Sequence, residues 1–254
     1  MTSLPTTVAE IVDELSSTPG VVAVTLGGSR ALGTNASSSD WDLGVYYRGS
    51  LDLTRLAARG TVYPPGSWGR LMNGGAWLRC GADRVDVLLR DLDAVEHWTR
   101  KAEEGQFEVD ALLGYIAGVP TYLLAAELAS CRTLAGTLPG SAFPPRLAAD
   151  APPIWRFCRS FTLSYARVLA DRGNRVGAIG QTAKAVVEEA HAVLCERGVW
   201  TCNEKRMIDQ AELGSVHSLF AECPTQASEL VRWIDSVTER LGAAPNDVAP
   251  WNYA

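Results

Sequence analysis

Two short apolar strands, separated by a glycine-rich turn and a polar loop, are predicted between residues 21 and 47. The segment from Val21 to Leu26 is apolar and largely β-branched, which is typical of one buried strand. Gly27 and Gly28 follow it, where the backbone must turn tightly or lie close to a ligand. A second strand opens with Asp40-Trp41-Asp42 and continues to Tyr47. This strand, turn and strand form the unit around which we expect the N-terminal part of the chain to be organised.

The two aspartates of the second strand are predicted to project from the same face, because side chains alternate between the faces of a strand. Two adjacent carboxylates repel each other, so a half-buried pair is unfavourable unless the pair shares a cation. Oxygen ligands on a rigid element suit Mg²⁺, which takes its other ligands from water and substrate phosphates. The turn at Gly28 and Ser29 offers backbone N–H groups and a hydroxyl, which can cradle a phosphate. The unit therefore indicates phosphoryl or nucleotidyl transfer.

This spacing also resembles a known family. Gly28-Ser29, ten intervening residues and Asp40-Trp41-Asp42 are similar to the signature of the DNA polymerase beta type nucleotidyltransferase superfamily. That superfamily needs a third carboxylate on a later strand, and Asp86, which alternates with Val85 and Val87, is the candidate. The resemblance implies that Asp40, Asp42 and Asp86 are catalytic and hold two Mg²⁺ ions. It also implies that the glycine-serine turn holds the triphosphate of an NTP co-substrate.

Three cations are candidates for contacts with the NTP phosphates. Arg30 lies just past the turn, although an exposed surface arginine is an equal alternative. The C-terminal part loosely resembles that of bacterial nucleotidyltransferases of the kanamycin type, which bind substrates between two domains and whose helical-domain lysines can face the phosphates. Lys184 is such a lysine, and an i,i+4 pair with Glu188 is the alternative. Lys205 follows Asn203, a predicted helix N-cap, at a helix end where a cation is unfavourable unless it faces a ligand.

The hydroxyl of the acceptor must lose a proton, and two kinds of acid can accept it. Asp86 can serve as metal ligand and general base together. The antibiotic-modifying relatives imply an acid of the helical part instead, either Glu188 or Glu189. The residues alone leave this choice open.

The fold class is predicted to be α/β (α+β), with a small mixed sheet flanked by helices in a catalytic domain of residues 1–145. Residues 146–254 are predicted to form an all-α helical bundle. A hairpin of residues 76–80 and 84–90 is expected to present Asp86 beside the strand that bears the first two aspartates. The proline-rich stretch 136–153 is interpreted as the link between the domains. Helices are predicted at residues 6–16, 51–59, 94–104, 107–115, 120–129, 155–170, 175–196, from about 203, and from 225 or 228 to 241.

The loop from Tyr63 to Gly69 is rich in turn-forming and aromatic residues. Loops carry binding residues more often than strands do. Tyr63 and Trp68 are therefore candidates for stacking on a base or a sugar, whereas packing beneath the loop is the commoner outcome for such aromatics.

Composition limits the classes of acceptor, the metals and the cellular location that are expected for this chain. A net charge of −6 and an isoelectric point near 5.2 argue against a broad basic nucleic-acid surface and favour a small, cationic acceptor. The candidates for this acceptor are an aminoglycoside-like antibiotic, which the resemblance implies, and another small metabolite. Transfer to tRNA or to a protein, as in toxin-antitoxin systems, and a catalytically silent nucleotide-binding domain are the alternatives. Six scattered cysteines, without Cys-x-x-Cys pairs, argue against zinc. No secretory signal or membrane span is predicted, so the expected location is cytoplasmic.

Overall fold

A computed structural model of the chain describes residues 4–34, 36 and 39–243. Part of the predicted polar loop before the second strand, and residues 244–254 of the predicted helical domain, lie outside this range. The chain forms two compact units. The first consists of Met1–Lys101 and Thr121–Ala142, and the second of Ala102–Pro120 and Phe143–Ala254. Residues 102–120, predicted as part of the first domain, belong to the second unit. The predicted domain boundary between residues 145 and 146 stays a prediction.

The elements follow one another with helices between most of the strands. The strands are β1 (Val21–Leu26), β2 (Trp41–Tyr47), β3 (Gly60–Tyr63), β4 (Gly74–Cys80), β5 (Asp83–Asp91), β6 (Val109–Asp110), β7 (Val119–Pro120) and β8 (Arg132–Gly136). The helices are α1 (Thr6–Ser16), α2 (Gly28–Leu32), α3 (Gly69–Met72), α4 (Leu92–Glu103), α5 (Leu123–Ser130), α6 (Pro145–Asp171), α7 (Arg175–Glu196), α8 (Met207–Gln210), α9 (Val216–Ala221) and α10 (Ala227–Arg240), with a 3₁₀ turn at Thr54–Ala58.

The first unit is built on a six-stranded mixed sheet in the order β3-β4-β5-β2-β1-β8. Strands β2 and β5 run parallel, while the other neighbours pair antiparallel. The hairpin of β4 and β5 closes with the two residues between Cys80 and Asp83, which form a register pair. This arrangement confirms the predicted fold class and the predicted hairpin. Strands β3 and β8 were not predicted, because four or five half-exposed residues carry little hydrophobic pattern.

One face of this sheet is the core of the unit. Alternate residues of β2 and β5 point into it, and the apolar side of α1 packs on them. The amphipathic pattern of α1, with Ile11, Val12 and Leu15 buried and its acids outward, explains this packing. The buried members on the sheet include Leu43, Val45, Val85, Val87 and Leu89. Because side chains alternate, the residues between them must lie on the opposite face, and Asp42 and Asp86 are among these.

The second unit is helical and confirms the predicted all-α C-terminal part. Its core contains residues of α6, α7, α9 and α10, among them Leu163, Ala178, Val216, Leu230 and Ile234. The apolar residues of these helices recur every three or four positions, so each helix buries one stripe. The small two-stranded ladder of β6 and β7 also belongs to this unit.

One predicted helix and the predicted link between the domains differ from the structure. Residues 107–115 are not helical and contain β6 instead. Residues 145–153, interpreted as a link, are the first turns of α6, in which Pro152 and Pro153 lie inside the helix. A proline there removes a backbone donor and crowds the preceding turn. The burial of Pro152 and Trp155 in the folded unit offsets that cost, which no local pattern reveals.

The segment after α7 also differs from its prediction. Asn203 does accept a hydrogen bond from the backbone of Lys205 at 3.0 Å, but the helix that follows, α8, begins only at Met207. The six cysteines are free thiols. No helix in the described ranges is long and apolar enough to cross a membrane.

Candidate functional site

Two of the predicted carboxylates lie side by side across the parallel strands of the sheet. Asp42 of β2 and Asp86 of β5 form a register pair. Neighbouring strands are about 4.8 Å apart, and paired residues share a face, so both carboxylates emerge from the sheet together. The face is the one opposite the apolar core, and both residues are half-buried. The strand that carries the third predicted carboxylate, β5, therefore lies beside β2, as predicted from the sequence.

The glycine turn lies directly against one of these carboxylates. Gly27 donates its backbone N–H to the carbonyl of Asp42 at 2.7 Å. Gly28 adopts φ +60°, and a Cβ built on it would overlap Asp42 Oδ2 and lie 2.7 Å from Asp42 Cγ. Glycine is therefore required at position 28 for two reasons. The backbone adopts a left-handed conformation there, and the Asp42 carboxylate leaves no room for a Cβ.

Ser29 lies in the first turn of α2, which begins at Gly28. The backbone bond that closes this turn runs from Ala31 to Gly27, at 3.2 Å. The N–H groups of the residues at the start of a helix have no acceptor within it, and they carry the positive end of the helix dipole. Ser29 itself is half-buried. The turn therefore has the donors that a phosphate cradle needs. Gly28, the residue before Ser29, packs against the Asp42 carboxylate.

Asp40 precedes β2, and its carboxylate meets a cation that the sequence analysis did not name. Arg84 Nε lies 2.7 Å from Asp40 Oδ1. The N–H is not aligned on this oxygen, so Oδ1 is a buried atom without a hydrogen-bond donor. Arg84 and Asp86 lie on the same face of β5 because they are two residues apart. The alternation of side chains along β5 could have predicted this contact, because it places Arg84 beside the start of β2, on the face that carries Asp86.

Arg30 holds the chain that delivers the aspartates. Its Nε donates to the carbonyls of Ser39 and Asp40, each at 3.1 Å, and its Nη2 to that of Ser39 at 2.5 Å. Its guanidinium also lies over the Trp41 ring, 4.0 Å from the centroid. The side chain thus fixes the entry to β2. Its predicted contact with a phosphate stays a prediction.

The carboxylate face is closed at its other end. Arg90, on the same face of β5 as Asp86, is 2% exposed and forms a two-pronged ion pair with Glu127 of α5, at 2.5 and 2.7 Å. A bidentate pair of this kind fixes α5 against the sheet. The open part of the face is therefore the half that carries Asp40, Asp42 and Asp86.

The chemistry of these residues fits a divalent cation. The donors are carboxylate oxygens, one of them the Asp40 oxygen that lacks a hydrogen-bond donor. Within the described part of the chain, no three His, Cys, Asp or Glu side chains form a ready-made metal centre. Mg²⁺ ordinarily completes its coordination with water and substrate phosphates, so a site of two or three carboxylates beside a phosphate cradle is sufficient.

Aromatic residues flank Asp86 on the other side. Trp77 of β4 is the register partner of Asp86, and its side chain is 54% exposed. Tyr63 and Trp68 pack against it, with ring centroids 4.8 and 5.9 Å away. The sequence analysis named the two loop aromatics but missed Trp77. The hairpin turn contained the signal, since a two-residue connection pairs position 77 with position 86.

In the second unit, Lys184 lies close to Glu188. Its Nζ is 3.6 Å from Glu188 Oε1, so the predicted i,i+4 pair is present. Glu188 is 2% exposed, and its Oε2 is buried without a hydrogen-bond partner. Burial raises the pKa of this carboxyl above its ordinary value. The phosphate contact of Lys184 stays a prediction.

Glu189 has a different environment from its neighbour. It accepts a hydrogen bond from the buried Arg159 at 2.5 Å, and Arg156 Nε lies 3.3 Å from its other oxygen. Both of its oxygens are thus engaged by guanidinium groups. Among the two helical acids, Glu188 is the one with an oxygen available to accept a proton.

The segment around Lys205 has a structural use. Glu204 accepts the backbone N–H groups of Ile116 and Ala117, at 2.7 and 2.9 Å, and so holds the loop before β7. Lys205 itself is exposed. Its predicted contact with the nucleotide stays a prediction.

Comparison with known proteins identifies the N-terminal part of the chain. Residues 6–114 match the family model of the nucleotidyltransferase domain. This range contains the glycine turn, the three aspartates, Arg84 and the aromatic residues next to them. Comparison with curated proteins gave no match.

Two solved structures are similar to the chain at low identity. One is a nucleotidyltransferase-like protein from Exiguobacterium sibiricum 255-15, with 14% identity, a TM-score of 0.47, and coverage of 93% of this chain and 73% of that one. The other is an aminoglycoside 6-adenyltransferase from Bacillus subtilis, with 10% identity, a TM-score of 0.26, and coverage of 96% and 94%. Neither likeness is close enough to inform on the substrate. The family match and the motif together identify residues 6–114 as a nucleotidyltransferase domain.

Proposed function

We propose that this enzyme transfers a nucleoside monophosphate from an NTP to a hydroxyl of a small molecule and releases pyrophosphate. One observation carries the proposal. Asp42 and Asp86 form a register pair on the exposed face of the sheet, and the glycine turn packs on Asp42. Carboxylates for a cation and donors for a phosphate thus share one side of one rigid element, which is what transfer of a nucleotidyl group needs.

The nucleotide is held from two sides in this proposal. The backbone N–H groups and the hydroxyl at Gly28 and Ser29 bind the β- and γ-phosphates. Enzymes of this family generally use a divalent metal with the NTP. Asp40, Asp42 and Asp86 are the residues that would hold two Mg²⁺ ions. When bound, such ions neutralise charge on the attacking and leaving oxygens of the displacement.

The reaction is an in-line displacement at the α-phosphorus. The acceptor oxygen forms a bond to that phosphorus, while the bond from phosphorus to the α,β-bridging oxygen breaks. The electron pair of that bond leaves with pyrophosphate, and the hydroxyl proton passes to a carboxylate. Asp86 is the proposed proton acceptor, because it lies on the active face next to Asp42.

Arg84 has a part in the resting site. Its guanidinium lies within ion-pair distance of Asp40, and it is 59% exposed, so it is free to reorient. It supplies positive charge to a carboxylate that would otherwise stand beside two others. When cations and a triphosphate bind, the guanidinium of Arg84 can leave Asp40 and bind a phosphate oxygen instead. The planar guanidinium of arginine matches the geometry of phosphate.

The choice of general base can be tested by the two helical glutamates. We expect Glu188→Gln to raise the stability at neutral pH and to leave transfer activity within about twofold of the unchanged protein. The reason lies in the raised pKa of Glu188: the folded state binds its proton more tightly than the unfolded state. The free energy of unfolding therefore falls as the pH rises from the ordinary glutamate pKa through the raised pKa of Glu188. Glutamine does not titrate, so the variant does not lose this stability. Thermal unfolding against pH measures it.

Glu189→Gln is the matched control for that variant. It leaves the buried Arg159 without its carboxylate, and we expect it to lower the unfolding free energy by about 3 kcal/mol. If Glu188→Gln instead reduces activity more than tenfold in folded protein, Glu188 and not Asp86 takes the proton.

The acceptor is proposed to be small, cationic and aminoglycoside-like. The net charge of −6 supports this choice over tRNA, which needs a contiguous basic face. Transfer to tRNA or to a protein is the second candidate. A silent nucleotide-binding domain is disfavoured, because the three aspartates and the glycine turn of the motif are all present.

Transfer of label from NTP tests the function directly. Each α-³²P-labelled NTP is incubated with Mg²⁺ and, in turn, a panel of aminoglycosides, bulk tRNA or the protein alone. We expect label on an aminoglycoside, and labelling slowed by about 10³-fold with an Asp42→Asn variant. Label on tRNA or on the protein would move the function to the second candidate. NTP that does not bind even with Mg²⁺, by calorimetry, would contradict nucleotidyl transfer altogether.

A further inference from the structure

A group of three aromatic residues lies beside the carboxylates, with Trp77 exposed and Tyr63 and Trp68 half-buried. Tyr63, Trp68 and Trp77 are in mutual contact, with ring centroids 4.8 to 5.9 Å apart. A Cβ on Gly75 would lie 2.7 Å from the Trp68 ring, so this glycine provides the space in which the ring sits. We call these three residues the aromatic platform.

The loop that carries Trp68 is anchored independently of any ligand. Asn73 accepts two hydrogen bonds from this loop. Its backbone carbonyl accepts the N–H of Trp68 at 3.1 Å, and its side-chain Oδ1 accepts the N–H of Gly66 at 2.8 Å. Its Nδ2 donates to Tyr47 Oη at 2.7 Å in the core. The platform is therefore held in place before a ligand arrives, which lowers the entropic cost of binding on it.

Its position follows from the strand register. Trp77, Asp86 and Asp42 form one row across β4, β5 and β2 on the same face. At about 4.8 Å a strand, Trp77 lies one strand from Asp86 and two from Asp42. The glycine turn packs on Asp42 at the other end of this row. The row thus runs from phosphate cradle to carboxylates to aromatic platform.

We infer that the aromatic platform binds the acceptor, and that the part it binds is a saccharide-like ring. This rests on the proposed function. In an in-line displacement the attacking oxygen enters opposite the leaving pyrophosphate. Because the cradle at Gly28 and Ser29 holds the pyrophosphate end, the attacking hydroxyl arrives from the Trp77 end of the row. The nucleoside is attached to a third oxygen of the α-phosphorus and so leaves this axis sideways.

The chemistry of the platform selects the class of ring. An acceptor must offer a hydroxyl to Asp86 and an apolar surface to an indole within one strand spacing. A saccharide ring does both, since its C–H groups can face the indole while its hydroxyls lie at the rim. The Trp77 indole is 54% exposed, so it is accessible to such a ring.

The test separates the acceptor from the nucleotide by using the indole signals. Protein with ¹⁵N-labelled tryptophan is titrated with α,β-methylene-ATP and Mg²⁺, and separately with kanamycin A and methyl α-D-glucosaminide. The Trp77 signal is assigned with Trp77→Phe. We expect a saccharide to shift the Trp77 signal and the nucleotide to leave it in place.

Variants give the energetic side of the test. We expect Trp77→Ala to weaken saccharide binding about tenfold or more, while nucleotide binding and the midpoint of thermal unfolding stay unchanged. Trp77→Phe should keep most of the affinity. Val22→Ala, an exposed apolar residue of β1, is the control and should change neither ligand's affinity.

Two outcomes would overturn the inference. One is a Trp77 signal that moves with the nucleotide as much as with a saccharide, which would assign the platform to the nucleoside. The other is bound nucleotide together with no saccharide effect on any of the platform residues. Failure of the proposed function differs from both, because then the nucleotide analogue itself does not bind.

Discussion

Asp42→Asn is expected to reduce nucleotidyl transfer by about 10³-fold while preserving the fold. Asparagine keeps the shape of the side chain that packs on Gly28 but removes the negative charge that faces a cation. Loss of one group that stabilises charge in a transition state typically costs about 10²–10³-fold in rate, and a metal ligand belongs at the upper end. Release of labelled pyrophosphate from γ-labelled NTP, with acceptor present, measures the effect.

The same variant has a second readout that does not depend on the acceptor. Asp42 stands beside Asp86 in register, and two neighbouring carboxylates repel each other when no cation is bound. We therefore expect Asp42→Asn to unfold at the same or a higher temperature than the unchanged protein without metal. Mg²⁺ should raise the unfolding temperature of the unchanged protein and not that of the variant.

Asp83→Asn is the matched control on the strand that carries Asp86. Asp83 accepts hydrogen bonds from Trp41 Nε1 and Thr7 Oγ1, at 3.4 and 3.3 Å, and so belongs to the scaffold. Its replacement should lower stability slightly and leave activity per folded molecule unchanged. Full activity in Asp42→Asn, or equal loss in both variants, would show that Asp42 is not a ligand of the reacting centre.

Gly28→Ala is expected to reduce activity by about 10²-fold or more and to destabilise the protein by about 1–2 kcal/mol. The stability loss comes from placing a Cβ at φ +60°, in the left-handed region. The activity loss comes from a separate cause, because the same Cβ would overlap Asp42 Oδ2 and displace the carboxylate. Steady-state kinetics and chemical unfolding measure the two effects separately.

Gly33→Ala isolates these two causes. Gly33 lies at the end of the same short helix with φ +70°, and a Cβ there meets nothing within 4 Å. It should therefore show the same loss of stability with activity retained. If the two variants lose activity equally, the contact of Gly28 with Asp42 has no part in catalysis.

The sequence predicted the centre of the catalytic domain because its signals are local. The apolar β-branched segment before Gly27 predicted β1, with the bounds that the structure has. Alternation predicted that Asp86 is opposite the apolar valines of its strand, and those valines lie in the core. That Asp40 shares the face of Asp42 stays a prediction, because Asp40 precedes β2. These statements depend only on the period of a strand, which tertiary contacts do not change.

Other features depended on contacts between distant parts of the chain. The extension of α6 back to Pro145 runs against the local preference of its prolines, and packing in the folded unit overrides that preference. The assignment of residues 102–120 to the second unit has the same origin, since Glu204 holds their backbone. A propensity or a spacing carries no information about such partners.

The sequence by itself thus predicted the type of chemistry, through a glycine-serine turn and aspartates at a fixed distance along the chain. Only the tertiary structure decided which side chains surround them. It paired Asp42 with Asp86, set Arg84 against Asp40, and placed Trp77 at the end of the row. The physical reason is that residue type and local period establish what a strand presents on each face. The neighbours on that face depend on strand order and register, which the whole sheet settles together.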